Sequence, residues 1–319
     1  MLQITPQPIP SYHRGMQSMQ APATPSVQLP RKLDRPPHVE IDPRAIAAVA
    51  PELANVPLEY IQRHLASQAP QMIAAVTLLS IPSSLPRSRL PPTVDAPLRP
   101  TASVPPSASF PTHVLAVSSS RSSPSSPSTP TAASFAAQAQ QGSSTIVPLY
   151  PTHSLVLAAH CTLLPRLPAS RAASNKSTAI SLPVVPLTVP DAATFPHLHA
   201  YLHTKRADTL LATLLPALQS VLPPAAGASS TSGAVRSYAT QFTADSLLRY
   251  AHALASYAYT QSGPQGAVQT LMAHAKVVNG LWKNTCALGI FDTELWAMMD
   301  LAWEIILTAL NRIIEMSRR

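Results

Sequence analysis

Thr145-Ile146-Val147-Pro148-Leu149-Tyr150-Pro151-Thr152-His153-Ser154-Leu155-Val156-Leu157-Ala158-Ala159 reads as a short apolar strand, Ile146 to Tyr150, running into a helix that starts near Pro151. Further on, the β-branched run Val184-Val185-Pro186-Leu187-Thr188-Val189 predicts a second strand, and helical patterns follow over Asp191 to Thr204 and Ala207 to Leu215. Strands and helices mixed in this way predict an α+β core over residues 145–220. No catalytic signature falls inside it, so its residues suit packing and recognition.

The whole chain has 319 residues, which leaves room for two domains of ordinary size. Its 36 prolines against 8 glycines, with only 11% charged and 5% aromatic residues, predict that a good part stays unpacked. Such segments bury too little apolar surface to offset the entropy of ordering. A formal net charge of +8 favours acidic partners, nucleic acid or a nuclear location, although the basic residues are scattered. Cys161 and Cys286 lie far apart in apolar helical settings and read as reduced, buried thiols. Neither a secretory leader nor an apolar run long enough to span a membrane is visible, so the expectation is a soluble intracellular protein, nuclear or cytoplasmic.

Residues 1–38 carry no periodicity and read as disordered. Over 39–80 three short amphipathic helices are expected. Asp42 caps the first ahead of Pro43, Asn55 caps the second near Pro57, and a break at Ser67 to Pro70 separates off a third that carries Met72, Ile73, Val76 and Leu79. Residues 81–144 read as a disordered Ser/Pro linker, whose Ser-Pro and Thr-Pro steps between Ser123 and Pro130 would accept phosphate from proline-directed kinases. A further linker covers 221–240. The remainder, 241–319, is helical: one stripe from Leu247 to Ala258 ends at Gly263-Pro264, a second runs from Val268 to Trp282, and Asp292 caps a third that carries Trp296, Met299, Trp303, Ile306, Leu310 and Ile313.

Chemistry-bearing motifs are scarce. His197, His199 and His203 come nearest to a metal cluster, but on a helix 197 and 199 diverge by about 200°, and no Cys or carboxylate completes the set. His160 and Cys161 are neighbours on a helix and point about 100° apart, too far for a nucleophile and its base. No phosphate loop, dinucleotide fingerprint or nucleophile elbow occurs. The expectation is a non-enzyme with no cofactor and no metal. Lys205-Arg206 and Arg318-Arg319 are too sparse a basic surface for direct nucleic-acid binding, so protein partners are expected and no membrane.

Three resemblances extend this reading. The three-helix segment resembles the small ubiquitin-binding domains of the CUE and UBA type, in which a turn ending in Pro and a Leu-Leu pair form the ubiquitin-facing patch. The matching positions are Val49-Ala50-Pro51 and Leu78-Leu79, which makes Ala50, Pro51, Leu78 and Leu79 candidate ubiquitin- or partner-binding residues; a partner-docking segment with no ubiquitin role is the alternative. Residues His153 to Ala159 and Phe195 to Thr204 resemble the motifs of a BTB/POZ fold, which implies a protein-interaction core, room for a homodimer, and an adaptor role in ubiquitin ligation as one outcome. Finally Leu33-Asp34-Arg35-Pro36-Pro37-His38-Val39-Glu40-Ile41-Asp42-Pro43, Ala50 to Pro57 and Pro190 to Thr213 resemble the clampless family of basidiomycete fungi. That resemblance implies a nuclear, non-enzymatic regulator of sexual development, acting in the mating-type homeodomain pathway through transcriptional or ubiquitin-machinery partners and needed for clamp-cell formation.

Overall fold

A sheet of five short strands stands at one side of the molecule, and its order is β1-β4-β3-β5-β2. The computed structural model describes residues 29–99, 109–120, 146–169, 179–224 and 237–317. Leu33–Arg319 makes one compact unit; Met1–Lys32 counts as another, of which only 29–32 are described. The strands are β1 (Ser84–Pro86), β2 (Thr93–Pro97), β3 (His113–Ser119), β4 (Ile146–Thr152) and β5 (Ala179–Val189). β3 is central, antiparallel to β4 and parallel to β5. Its residues His113 to Val117 are buried in unbroken succession, as a strand covered on both faces requires. One face carries Val114, Ala116, Val147, Leu149, Ile180 and Leu182 in a shared core with Leu79.

Pro186 of β5 is tolerated because the edge strand β2 is short. β2 pairs with β5 only from Ala179 to Pro183, so Pro186 owes no amide hydrogen to that edge. The structure thus corrects the expected linker over 81–144: Ser84–Pro97 and His113–Ser119 supply three strands, and the missing signal is length, since β1 and β2 are too short to alternate legibly. The Ser/Pro tract from 121 to 131 lies outside the described residues, as do most of the 221–240 linker and residues 1–28.

Seven helices are described. α1 (Pro43–Val49) starts where Asp42 Oδ1 accepts from the Arg44 amide at 2.9 Å. α2 (Leu58–Thr77) runs without interruption through Pro70, so the expected three helices are two, joined by a 3-10 turn at Pro51–Leu53. Pro inside a helix costs about 3 kcal/mol, and here one continuous face, Ile61, Leu65, Ala69, Met72 and Ala75, is buried across it. Asn55 does not cap α2, whose N-cap position is Pro57. Nor do these helices form a small domain of their own: α1 packs on α3 (Ser154–Ala158) and α2 on α4 (Phe195–Thr204).

α5 (Ala207–Leu214) follows α4 after one turn. α6 (Ala244–Leu288) opens with a capping box between Thr243 and Ser246 and breaks at Gly263, where φ is 66° and ψ is −177°, immediately before Pro264. α7 (Thr293–Ser317) packs along α6 and buries Trp296, Met299, Trp303, Ile306, Leu310 and Ile313. The expected stripe of α7 is therefore core. The fold class is mixed α+β, with the helical C-terminal region packed on the strand-bearing part through α4, α5 and α6.

Candidate functional site

The chain folds its first described segment against its last. Arg35 pairs with Asp300 and stands over the Trp296 ring at 5.4 Å, the Trp282 Nε1 hydrogen is donated to the Asp34 carbonyl at 2.7 Å, and His38 meets Phe291 at 5.0 Å. Leu33 is buried. Residues 33–41 are thus an extended arm laid over α6 and α7, and Pro36-Pro37 keeps it extended because neither residue can enter a helix here. Beneath the arm opens a cleft of about 580 Å³, walled by His38 to Ile41, by Leu58, Glu59 and Gln62 of α2, by His160 and Thr162, and by Gly289 to Thr293.

A polar seam lies at the bottom of this cleft. Lys205 ends α4 in the left-handed conformation, φ 53°, the one non-glycine residue with positive φ among those described. Such a backbone is unfavourable for a side-chain-bearing residue, and it points the ammonium into the seam. Lys205 Nζ donates to Asp292 Oδ2 at 2.8 Å and lies 3.2 Å from His160 Nδ1. Tyr201 gives its hydroxyl hydrogen to Asp292 Oδ1 at 2.8 Å, and the Leu295 amide donates to the same oxygen at 2.9 Å, so Asp292 caps α7 while holding α4. Gln62 Nε2 donates to the Ala159 carbonyl at 2.7 Å and reaches toward His160 Nδ1 at 3.4 Å. Burial works to raise the Asp292 carboxyl, but Lys205 and the hydrogen bonds it accepts outweigh this and leave it lowered. Burial, then the adjacent ammonium, push His160 down to about 3.

Two further clasps flank the seam, one of them at the start of the loop 289–292. Thr162 donates its amide and hydroxyl to the Gly289 carbonyl at 3.2 and 2.9 Å, and the Leu163 amide donates to Leu288 at 3.1 Å. Gly289 has φ 63°, and a Cβ there would stand 2.0 Å from Thr162 Oγ1. On the other flank Asn284 accepts from the Asp191 amide at 2.9 Å and donates to the Asp191 carbonyl at 2.6 Å and to Thr194 Oγ1 at 3.1 Å.

Above the seam the imidazoles gather. His199 and His203, one turn apart on α4, have ring centres 4.3 Å apart, and His153 at the start of α3 lies 5.4 Å from His203. His197, which the sequence grouped with them, is half-buried and makes no ring contact with them. His160 and Cys161 are both buried; burial raises the Cys161 thiol to about 12, so it is held as a neutral thiol.

The four residues singled out for ubiquitin or another partner lie elsewhere. Ala50 is 6% exposed and Leu79 is 4% exposed, the latter inside the sheet core and bridged to Leu98, while Leu78 is half-buried and Pro51 exposed. The apolar surface left there is that of Pro51 and part of Leu78. The seam residues Gln62, Lys205 and Asp292 escaped sequence reading because they are separated by 87 residues or more and no local pattern joins them.

No curated protein and no solved structure matches this chain. Two protein-family models do: the Clampless protein 1 N-terminal domain over residues 36–190 and the Clampless protein 1 C-terminal domain over residues 208–319. The first takes in the arm, the sheet and α1 to α3, the second α5 to α7, and the seam built on Tyr201 and Lys205 falls where one gives way to the other. With both domains present in order along one sequence, the chain belongs to the clampless protein family.

Proposed function

We propose that the protein is a non-enzymatic regulator of fungal sexual development, required for clamp-cell formation downstream of the mating-type homeodomain pathway, which acts by holding protein partners. The match to both clampless domains carries this reading. Its geometry supports contact rather than bond-breaking: the acidic residues of the cleft are either committed, as both oxygens of Asp292 are, or free to meet a partner, as Glu40 and Glu59 are, with no ion pair among the described residues. Function in the nucleus fits the basic balance of the chain.

Deleting the coding sequence in a mating-competent strain tests this reading, with clamp cells as the readout. Loss of clamps, restored by the full chain, is the expected result; normal clamps in the deletion strain would remove it.

One observation favours a second reading, a BTB-like adaptor. β3 and β4 form an antiparallel pair, α3 follows with His153 at its start, β5 returns parallel to β3, and α4 and α5 come next. That order supports the BTB/POZ resemblance, and β3 is the strand of it that the sequence did not reveal. Recovery of a cullin with the tagged full chain from mating cells would favour the adaptor, and recovery of transcriptional proteins alone the regulator.

A further inference from the structure

Five buried side-chain polar atoms lack a hydrogen-bond partner among the described residues: Thr152 Oγ1, His153 Nδ1, His160 Nε2, His199 Nε2 and His203 Nε2. They come from the end of β4, from the residues flanking α3 and from α4. Buried polar atoms are nearly always paired, so a concentration of unpaired ones calls for a role. Their tautomers follow from the partners of the opposite ring nitrogens. His153 Nε2 lies 2.9 Å from the Ser109 carbonyl and must carry a hydrogen, which leaves Nδ1 as a bare acceptor. His203 Nδ1 lies 2.9 Å from the His199 carbonyl, which leaves Nε2 bare in the same way. His160 Nδ1 faces the Lys205 ammonium and the Gln62 amide nitrogen, both donors, so its hydrogen sits on Nε2.

What answers such atoms must be small. Of this cluster the cleft under the arm touches His160 alone, and a second cleft, beside Tyr238 and Pro223, touches none of it. Among the described residues no three His, Cys, Asp or Glu side chains are placed to hold a metal ion. A proton needs no room, and one added to His203 Nε2 or His153 Nδ1 puts a positive charge into a buried contact.

We propose that the imidazole cluster between α3 and α4 is a proton-operated latch, closed while neutral, which on protonation loosens α4 and breaks the Lys205–Asp292 clasp on α7. The surroundings fix the sign. Tyr150 from β4, Cys161 after α3, Glu59 and Gln62 from α2, Tyr201 and Lys205 from α4, and Asp292 with Glu294 ahead of α7 face the cluster or its edge. Lys205 is the cation among them; it opposes charge on His160 and on His203, while Asp292, which pairs with it, favours charge on His160 alone of these two. A charged His203 is therefore repelled by Lys205 and by His153 once that ring is charged. Burial lowers His153 and His199, and it brings His203 to about 4. Their neutral forms are favoured on folding, so stability is fully present above about pH 6.5 and is lost as pH falls through the window from 6.5 toward 4.

Amide hydrogen exchange on the full chain tests the latch, with rates near pH 7 and near pH 5 corrected for intrinsic chemistry. The α4 amides should exchange at least ~10-fold faster at the lower pH, while those of Leu271 to Leu288 in α6 keep their protection. H203F removes one bare acceptor and one titrating site, and it should flatten the α4 response. Should that variant not fold, ring signals of His153 and His203 in the unaltered chain decide: they must titrate together with the loss of α4 protection. An unchanged α4 at the lower pH, rings that titrate while α4 stays closed, or an H203F chain that keeps the full response would each overturn the latch. So would a rise in thermal midpoint on adding zinc at neutral pH that H203F abolishes, because the cluster would then be a metal site.

Discussion

The α6/α7 pair and the much smaller contact of α3 with α4 are buried by opposite chemistry. Along α7, Leu295, Met298, Met299, Ala302, Ile305, Ile306, Ala309 and Ile313 are all fully shut off from solvent, and α6 answers with Leu271, Val278 and Leu281. Between α3 and α4 the same kind of space holds His153, His160 and His203. An apolar interface gains from every group removed from water, and its stability is insensitive to pH over the neutral range. An imidazole interface gains from its ring carbons but leaves nitrogens unpaired, so its stability is conditional. The first pair is a foundation and the second a joint, and Lys205 to Asp292 ties the joint to the foundation.

Removing apolar volume from the foundation should have the largest effect. I306A is expected to cost about 2–5 kcal/mol in urea denaturation; a cost below ~1 kcal/mol would mean that α7 is loosely packed and the contrast is false. Next comes G289A, which combines a strained positive φ with a Cβ placed on Thr162, and it should cost about 1–3 kcal/mol. Breaking the tie should have an effect of the same size. K205M should cost about 1.5–3 kcal/mol, because it leaves the Asp292 carboxylate without its cation. In a double-mutant cycle with D292N the two losses should be less than additive, since both remove one interaction; strict additivity would show that the pair does not couple α4 to α7. The smallest change is T243A, which removes the cap of α6 far from the seam and should cost about 1 kcal/mol. Its effect should stay the same in the K205M background.

What was legible in the sequence follows the same division. Periodic apolar residues announced α7, the second half of α6 and the break at Gly263-Pro264, and the caps at Asp42 and Asp292 were read correctly. The central run also declared β4, α4, α5 and the second half of β5, while β5 starts at Ala179, five residues before the expected Val184. β1, with three residues, and β2, with five, could not show a period. β3 was hidden for another reason: His113-Val114-Leu115-Ala116-Val117 is a good strand, but it lies between Pro-rich stretches that dominate the composition. At Pro70 a local rule gave way to tertiary packing, since a face buried at Leu65 and Met72 holds α2 together across the proline. The seam was beyond reach because its chemistry arises from residues that meet only after folding. His199 and His203 share a helix face, but what gives them meaning is His153, some forty residues earlier and on another element.

The arm over α6 and α7 also sets an order of events during synthesis. Chains emerge from the ribosome N-terminus first, at about 5–20 residues per second, and units near the start ordinarily settle before later ones exist. Here residues 33–41 find their seat only on helices made some 250 residues later, with Asp300 and Trp296 as the landing points. Until α7 has been made and packed, the earliest part of the compact unit has nothing to rest on, and a chain cut short before Asp300 leaves it undocked for good.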